Sequence, residues 1–150
     1  MMQALPPSPE KLSNDRVSLL LHTIIPADTK AGLSPYYHYL IYLPNGIEVG
    51  HINFRIGDSR HILYTAGHIG YAIHSNFRGN ALSYYACLAI FPLVRSVYSS
   101  IILTCDPENS ASIAIIKKLG GTYLNEVEVP PNDPAYTRGA RIKRRYLLTL

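Results

Sequence analysis

Apolar and polar residues alternate in a pattern that divides the chain into strands and helices. Between 82 and 93 the apolar residues recur at helical spacing, and a second helix ends at Leu119-Gly120-Gly121. By the crossover rule, the strands before and after the first helix run parallel. Apolar runs rich in β-branched and aromatic residues predict strands at 17–25, 36–43, 47–56, 67–74, 100–105, 123–129 and 141–150.

Asn45-Gly46 separates the second and third predicted strands and is a strong signal for a tight hairpin. Strict alternation along the third strand puts Val49 and His51 on one face of the sheet and Glu48 on the other. Three or four antiparallel strands therefore precede the crossover helix. This order predicts a mixed α+β fold.

The composition indicates one folded domain. The chain has 150 residues, of which 47% are hydrophobic and 16% charged, and this suffices for a single core. We predict a flexible, proline-rich lead-in at 1–16 and a single domain at 17–150. Two cysteines without a recognisable secretion signal predict a reducing, cytoplasmic location. Pro92 and Arg95 interrupt the low-charge stretch at 81–103, so we predict no membrane span.

The loop Arg78-Gly79-Asn80 leads directly into the first predicted helix. The first turn of a helix has backbone N–H groups without helical partners, and the helix dipole places partial positive charge beside them. Together they make an anion site that suits a phosphate or pyrophosphate. An ordinary helix entry has the same residues, so the loop alone does not decide between the two interpretations.

Three motifs, in this order, resemble the core of the GNAT superfamily of acetyl-CoA-dependent N-acyltransferases. Residues 70–73 resemble the family's fourth strand, 78–83 its pyrophosphate loop, and 109–120 its Asn-x-x-Ser and Lys-Leu-Gly signature. The likeness implies a central, mostly antiparallel twisted sheet of six to seven strands with a parallel splayed pair. It also implies helices on both faces. The family's two covering helices would fall at 26–35, which is too short for both, so we expect a reduced N-terminal helical region.

The resemblance implies an enzyme that uses acetyl-CoA as co-substrate. It would transfer the acetyl group to a primary amine of an unidentified acceptor by direct attack in a ternary complex. The backbone of 71–73 would contact the pantetheine arm and polarise the thioester carbonyl, and the loop would hold the pyrophosphate. The residues that the likeness assigns to acetyl-CoA are Tyr71, Ala72, Ile73, Arg78, Gly79, Asn80, Ala81, Leu82, Ser83, Asn109 and Ser112.

The chain departs from the family pattern at three positions. Ala81 and Ser83 stand at two glycine positions of the loop, and Ile116 stands where many relatives carry the tyrosine that protonates the departing thiolate. An alternative function is therefore a degenerate GNAT-fold protein that binds CoA or acyl-CoA without catalysis.

Direct attack requires a neutral amine, and therefore a base or a relay through water. Glu48, on a central strand, is the candidate carboxylate, and a solvated strand residue is the alternative interpretation. Ser112 or Tyr123 is the candidate acid in place of the absent tyrosine. Because a histidine side chain can titrate near neutral pH, three histidines are further candidates: His51, His68 and His74.

The acceptor half of the chain departs most from the family. In the proline-rich segment at 130–145, Tyr136 and Arg138 are candidate acceptor-binding residues, and a surface loop is the alternative. The six histidines lack ligand spacing, so we predict no metal site. The 12 tyrosines are compatible with a homodimer.

A basic run precedes the last predicted strand, and the net charge is +4. The run has no accompanying aromatic signature of RNA binding, so we predict no nucleic-acid partner. We interpret it as the solvated start of an edge strand, where charge prevents pairing with other chains. We also predict no membrane partner. The basic residues are Arg138, Arg141, Lys143, Arg144 and Arg145.

Overall fold

The structure is a computed structural model and describes residues 5–150. A single π-helical turn (His61–Ala66) and a 3₁₀ turn (Ser75–Phe77) flank the fifth strand. The strands are β1 (Lys11–Ser13), β2 (Ser18–Ile25), β3 (Tyr36–Tyr42), β4 (Glu48–Arg55), β5 (Ile69–Ile73), β6 (Ser100–Cys105), β7 (Thr122–Glu128) and β8 (Ile142–Thr149). The helices are α1 (Leu82–Arg95), α2 (Ser110–Leu119) and the short α3 (Pro134–Thr137).

The strands form two antiparallel sheets. β1 to β5 pair in sequence order, and the second sheet has the order β6-β8-β7. The predicted hairpin at Asn45-Gly46 joins β3 to β4 in an antiparallel pair. The mixed α+β fold with mainly antiparallel strands is confirmed. The described strands number eight and divide into two sheets, where we predicted one central sheet of six to seven.

The two sheets meet where β5 begins beside the middle of β6. The backbone N–H of His68 donates to the carbonyl of Ile102 at 2.8 Å. The N–H of Ile102 in turn donates to Nδ1 of the His68 ring at 3.0 Å, so the imidazole takes the place of a strand carbonyl. Gly67 has a φ of +73°, and a Cβ there would lie 2.9 Å from the Ile102 oxygen. The close approach therefore requires glycine. Beyond this junction β5 and β6 separate and border a cleft.

Helix α1 packs its apolar face against the five-stranded sheet. Ala86, Ile90 and Val94 recur at helical spacing and are fully buried. They belong to one core that also contains Tyr39 and Phe54 of that sheet and extends to residues of the second sheet. Full burial of a large apolar side chain contributes roughly 1.5–3 kcal/mol. None of the helices in residues 5–150 is long and apolar enough to cross a membrane.

A β-bulge changes the predicted face of one residue at the start of β4. Tyr42 pairs with Glu48 and Ile41 pairs with Gly50, so Val49 is an extra residue on its strand. Val49 is fully buried in the core, whereas His51 faces the cleft. The prediction that Val49 and His51 share a face is therefore wrong, because alternation cannot anticipate an inserted residue.

Part of the predicted flexible lead-in is a strand. Residues 1–4 lie outside the described range, but 11–13 form β1 and pair with β2. Two buried tyrosines explain why this segment is ordered, because their buried hydroxyls need hydrogen-bond acceptors. Tyr39 donates to the carbonyl of Pro9 at 2.7 Å, and Tyr37 donates to that of Pro6.

β8 is the central strand of its sheet, and the prediction of a solvated edge strand is wrong. Its basic side chains have partners that sequence proximity does not reveal. Lys143 Nζ lies 2.9 Å from Asp106 Oδ1, and Arg144 Nε lies 3.7 Å from Glu126 Oε1. Arg145 Nε donates to a carbonyl of the π-helical turn at 2.7 Å. The first two contacts link β8 to its own neighbours in the sheet, and the third ties the sheet to the π-helical turn.

Stability should depend on pH through His68. Burial lowers the pKa of His68, and the charge of Arg55 lowers it further. The unfolded chain, with a histidine pKa of about 6.5, therefore binds a proton that the folded chain resists. We expect the free energy of unfolding to fall as pH decreases from about 6.5 toward the lowered folded pKa, by at most about 1.4 kcal/mol per pH unit.

Urea unfolding between pH 7.5 and 5 measures this dependence. His68→Gln should be less stable at pH 7.5 and should show a flatter pH profile. Burial also lowers the pKa of His51, so His51→Gln should flatten the profile as well and measures a second contribution. The idea fails if the profile of His68→Gln is as steep as that of the wild type.

Candidate active site

The separation of β5 and β6 opens a cleft with two adjoining cavities. The strand cavity, of about 510 Å³, is lined mainly by β4, β5, the end of β6 and the α3 segment. The loop cavity, of about 400 Å³, is lined by β5, the loop before α1 and the first turns of α1 and α2. Tyr71, Asn109 and Ser112 line both cavities and mark their boundary.

The loop cavity contains the N-terminus of α1, which has no side-chain cap. Ala81 occupies the N-cap position, and no side-chain hydrogen bond caps the helix there. In contrast, Asn109 caps α2 and Asp133 caps α3. The first N–H groups of α1 are therefore available to a ligand, and the helix dipole adds partial positive charge.

Arg78 and Ser83 add donors to the same cavity. Arg78 Nε donates to the carbonyl of Ile73 at 3.1 Å, which holds the side chain against the end of β5. Ser83 is buried and lines the cavity from the first turn of α1. Gly79 has a φ of +87° and open space around its α-carbon. The loop cavity thus combines a guanidinium, a hydroxyl and uncapped backbone N–H groups, which fits a pyrophosphate.

Ala81 holds the backbone conformation that glycine adopts at no cost. Its φ of +56° is the only positive value for a non-glycine residue within 5–150. A left-handed conformation costs an L-residue with a β-carbon roughly 1–2 kcal/mol. The loop therefore keeps its helix-entry shape despite the loss of glycine, at the expense of local strain.

Tyr71 and Ser112 meet where the two cavities join. The Tyr71 hydroxyl lies 3.3 Å from Ser112 Oγ. Burial raises the pKa of Tyr71 to about 12, so the phenol stays protonated at neutral pH. Asn109 Oδ1 accepts from the Ser112 N–H at 3.1 Å and fixes the start of α2. The pair can therefore offer a hydrogen bond to a group at the boundary of the cavities.

A histidine–aspartate pair stands at the strand cavity. His61, which lines the cavity, has its Nδ1 2.8 Å from Asp133 Oδ2. Burial by itself would raise the pKa of Asp133, but hydrogen bonds from His61 and the Ala135 N–H lower it below its usual value. The ionised carboxylate favours the tautomer with a proton on Nδ1, so Nε2 is the basic nitrogen. This geometry is suited to proton abstraction.

Most residues that the sequence assigned to acetyl-CoA line the loop cavity. The exception is Asn80, whose side chain donates to the carbonyl of Phe77 at 3.2 Å. The other ten are Tyr71, Ala72, Ile73, Arg78, Gly79, Ala81, Leu82, Ser83, Asn109 and Ser112.

Some of the predicted catalytic and acceptor-binding residues line the cleft, and the others lie outside it. Ser112 and Arg138 line the strand cavity. Glu48 lies outside the lining of both cavities, exposed and 3.0 Å from His74 Nε2. Tyr123 also lies outside, on β7 with its ring against Tyr146. Tyr136 is covered by the guanidinium of Arg141, 3.6 Å from the ring centroid.

The sequence matches the family model of the acetyltransferase (GNAT) domain over residues 2–122, which is most of the chain. The chain belongs to the GNAT acetyltransferase family. The predicted family membership is confirmed. A comparison of this GNAT domain with curated proteins found no match.

Solved acetyltransferases share the fold of this GNAT domain. An acetyltransferase from Agrobacterium tumefaciens matches it with a TM-score of 0.63 and 18% identity over 100% of both chains. RimL, the ribosomal L7/L12 α-N-protein acetyltransferase in complex with coenzyme A, has a TM-score of 0.57 and 18% identity over 77% of this chain and 62% of RimL.

The microcin C7 self-immunity acetyltransferase MccE, in complex with acetyl-CoA and AMP, has a TM-score of 0.56 and 21% identity. The match covers 77% of the GNAT chain and 61% of MccE. The chain thus spans about three fifths of the length of RimL and MccE. Identities at this level show the fold alone.

Several residues at the cleft of this GNAT domain escaped prediction from the sequence. Ala111 and Ile115 line the loop cavity beside Ser112. Ile115 lies three residues after Ser112 and Ala111 four residues before Ile115, and this helical spacing was a signal that could have found them. The His61–Asp133 pair spans 72 positions, and nothing local in the sequence connects the two side chains.

The strain at Ala81 predicts a stabilising substitution. Ala81→Gly removes the left-handed penalty but increases the conformational entropy of the unfolded chain, so we expect a net gain of up to about 1 kcal/mol. Ala111→Gly, at an exposed position of α2, is the matched control and should lose roughly 0.5–1 kcal/mol. Urea unfolding checks both variants. A loss of stability in Ala81→Gly equal to that of the control would refute the strain.

Proposed function

We propose that this GNAT protein is an acetyl-CoA-dependent N-acetyltransferase that acetylates a primary amine by direct attack in a ternary complex. The observation that carries the proposal is the continuous cleft. One end offers uncapped N–H groups and Arg78 to a pyrophosphate, and the other offers a histidine–aspartate base. The anion site at one end, the base at the other and the Tyr71–Ser112 pair between them are the groups that acetyl transfer from acetyl-CoA to an amine requires.

Acetyl-CoA would bind with its pyrophosphate in the loop cavity and its thioester near Tyr71. RimL and MccE were solved with coenzyme A and acetyl-CoA respectively, which supports this co-substrate. β5 is the terminal strand of its sheet, so N–H groups on its outer edge are available to polarise the thioester carbonyl.

The amine nitrogen would attack the carbonyl carbon from the strand cavity. A carbon–nitrogen bond forms, the carbon–sulfur bond breaks, and CoA leaves as the thiolate. His61 Nε2 would take the proton that the amine loses, and Asp133 would stabilise the resulting imidazolium. Tyr71 and Ser112 would donate hydrogen bonds to the departing sulfur, a role that the sequence assigned to Ser112 or Tyr123.

We assign the base to His61 in preference to Glu48. Glu48 lies outside the lining of both cavities, whereas His61 lines the strand cavity. His74, the partner of Glu48, is also exposed to solvent. A general base must lie within hydrogen-bond reach of the proton that it takes, directly or through one water molecule.

The alternative is a protein that binds CoA without catalysis. Ile116, at the position of the family's tyrosine acid, is buried in the core and cannot supply a proton to the cleft. The Tyr71–Ser112 pair offers a replacement, so we favour the enzyme. A cytoplasmic location, a homodimer, the absence of a nucleic-acid or membrane partner and the domain boundary at 17 stay predictions from the sequence.

Calorimetric titration with acetyl-CoA tests the co-substrate site. We expect Arg78→Glu to weaken binding at least tenfold, because it replaces a charge-assisted donor with a repelling carboxylate. Arg95→Glu is the charge-matched control at the other end of α1 and should bind as the wild type does. Equal affinities of wild type and Arg78→Glu would contradict the proposed site.

The rate of acetyl transfer tests the base. His61→Gln should lower kcat by roughly 10²–10⁴, because a general base contributes about this factor. Asp133→Asn should lower kcat less, because the imidazole remains. His74→Gln, which breaks the other histidine–carboxylate pair of residues 5–150, is the control. A larger loss in His74→Gln than in His61→Gln would transfer the role to Glu48 and His74.

A further inference from the structure

We infer that the strand cavity recognises an anionic group on the acceptor, a carboxylate or a phosphate, between Arg55 and Arg138. The inference rests on the proposed function, because the acceptor is the second substrate of that reaction. It assigns Arg55 a role that the sequence did not suggest and gives the acceptor a chemical class.

The balance of charge in the strand cavity carries the inference. Asp106 is paired with Lys143 at 2.9 Å, and Asp133 is paired with His61 at 2.8 Å. Arg55 and Arg138 line the same cavity, and within residues 5–150 neither has a carboxylate at salt-bridge distance. Both carboxylates are therefore paired with a basic side chain, whereas the charges of the two guanidinium groups are not balanced within the described residues.

The geometry of Arg55 leaves one edge of its guanidinium for a ligand. Nη1 donates to the carbonyls of Ala66 and Gly67, each at 3.2 Å. A Cβ at Gly70 would lie 2.7 Å from Nη2, so the group rests directly on the backbone of β5. The side chain is held by one nitrogen, and the described chain gives Nε and Nη2 no acceptor. An edge of two N–H donors matches a carboxylate or phosphate.

The two arginines also repel each other. Burial lowers the pKa of Arg55, and the positive charge of Arg138 lowers it further. Arg138 is exposed, so solvent screens its charge in part, but Arg55 is partly buried and the two like charges still disfavour each other. A bound anion would remove the repulsion and compensate the desolvation of Arg55. The site is therefore more favourable with an anion than without one.

The same cavity holds the proposed base, which limits the size of the acceptor group. His61, Arg55 and Arg138 all line a volume of about 510 Å³. A cavity of this volume suits a small molecule. The acceptor would present its amine to His61 and its anion to the arginines, as an amino acid or an aminoalkyl phosphate does.

The competing explanation is that Arg55 only braces the carbonyls of the π-helical turn. If Arg55 has only this structural role, its replacement should weaken folding and lower activity toward all acceptors equally. An anion site predicts that loss of either arginine affects charged acceptors selectively. Arg138 separates the explanations well, because its side chain is exposed and its loss should leave folding intact.

The experiment compares kcat/KM for matched acceptors, serine against serinamide and 2-aminoethyl phosphate against ethanolamine. We expect the wild type to prefer the charged member of at least one pair by roughly 10- to 100-fold, the range for a charged hydrogen bond. The first pair reports on a carboxylate and the second on a phosphate. Arg138→Ala should abolish the preference by raising KM, with acetyl-CoA affinity unchanged.

Two controls complete the design. Arg141→Ala removes a neighbouring exposed cation that stacks on Tyr136 and should keep the preference. Arg55→Lys keeps the charge but loses the two-donor edge and should lose most of the preference. Equal kcat/KM for charged and neutral acceptors in the wild type would overturn the inference. Parallel losses for both members of a pair in Arg138→Ala would also overturn it.

A binding measurement separates this inference from the proposed function. Titration with inorganic phosphate, in the presence of saturating CoA, should show binding that Arg138→Ala loses. If no amine is acetylated but this binding is found, the anion site stands and the proposed enzyme fails. If acetyl transfer occurs without such binding or preference, the anion site fails and the enzyme stands.

Discussion

The hydrogen-bonded junction between His68 and Ile102 is the constraint on which the cleft depends. It joins two antiparallel sheets through one backbone bond and one imidazole bond. Since a side chain takes the place of a strand carbonyl, regular pairing of β5 and β6 stops there. The strands then separate, and the space between them becomes the two cavities. The neutral ring is required, because a protonated Nδ1 could not accept from the Ile102 N–H.

The two ends of the cleft differ in how their helices begin. α2 and α3 have side-chain caps from Asn109 and Asp133, which satisfy N–H groups that would otherwise need a ligand. α1 has none, and the strained Ala81 at its start keeps the loop in shape. An unsatisfied and strained helix start is unfavourable for stability and favourable for an anion. Asp133 serves both as the cap of α3 and as the partner of His61, so folding of this short segment also orients the base.

The α3 segment and the short connection at 26–35 both line the strand cavity. That connection closes through an exchange of hydrogen bonds between Asp28 and Leu33. Leu33 and Ser34 line the strand cavity from one side, and Pro134 and Arg138 line it from another. These two short segments complete a cavity whose other walls are mainly β4, β5 and the end of β6. Its unbalanced positive charge comes from Arg138, at the end of α3, and from Arg55 of β4.

The sequence by itself determined the local features. Strand alternation and the Asn45-Gly46 turn predicted most of the elements in order. The resemblance to the GNAT family implied ten residues of the loop cavity, which three contiguous segments build. Prediction from the sequence failed at Val49, where an inserted residue reverses the face of the strand. It also failed at β8, whose neighbouring strands are distant in the chain. Only the tertiary structure decided which charges meet. The packing of the strands, the π-helical turn and the α3 segment brings His61 to Asp133 and Lys143 to Asp106. It also places Arg55 and Arg138, which have no carboxylate partner within residues 5–150, in one cavity. Such contacts depend on distances in space, which no local pattern of residues encodes.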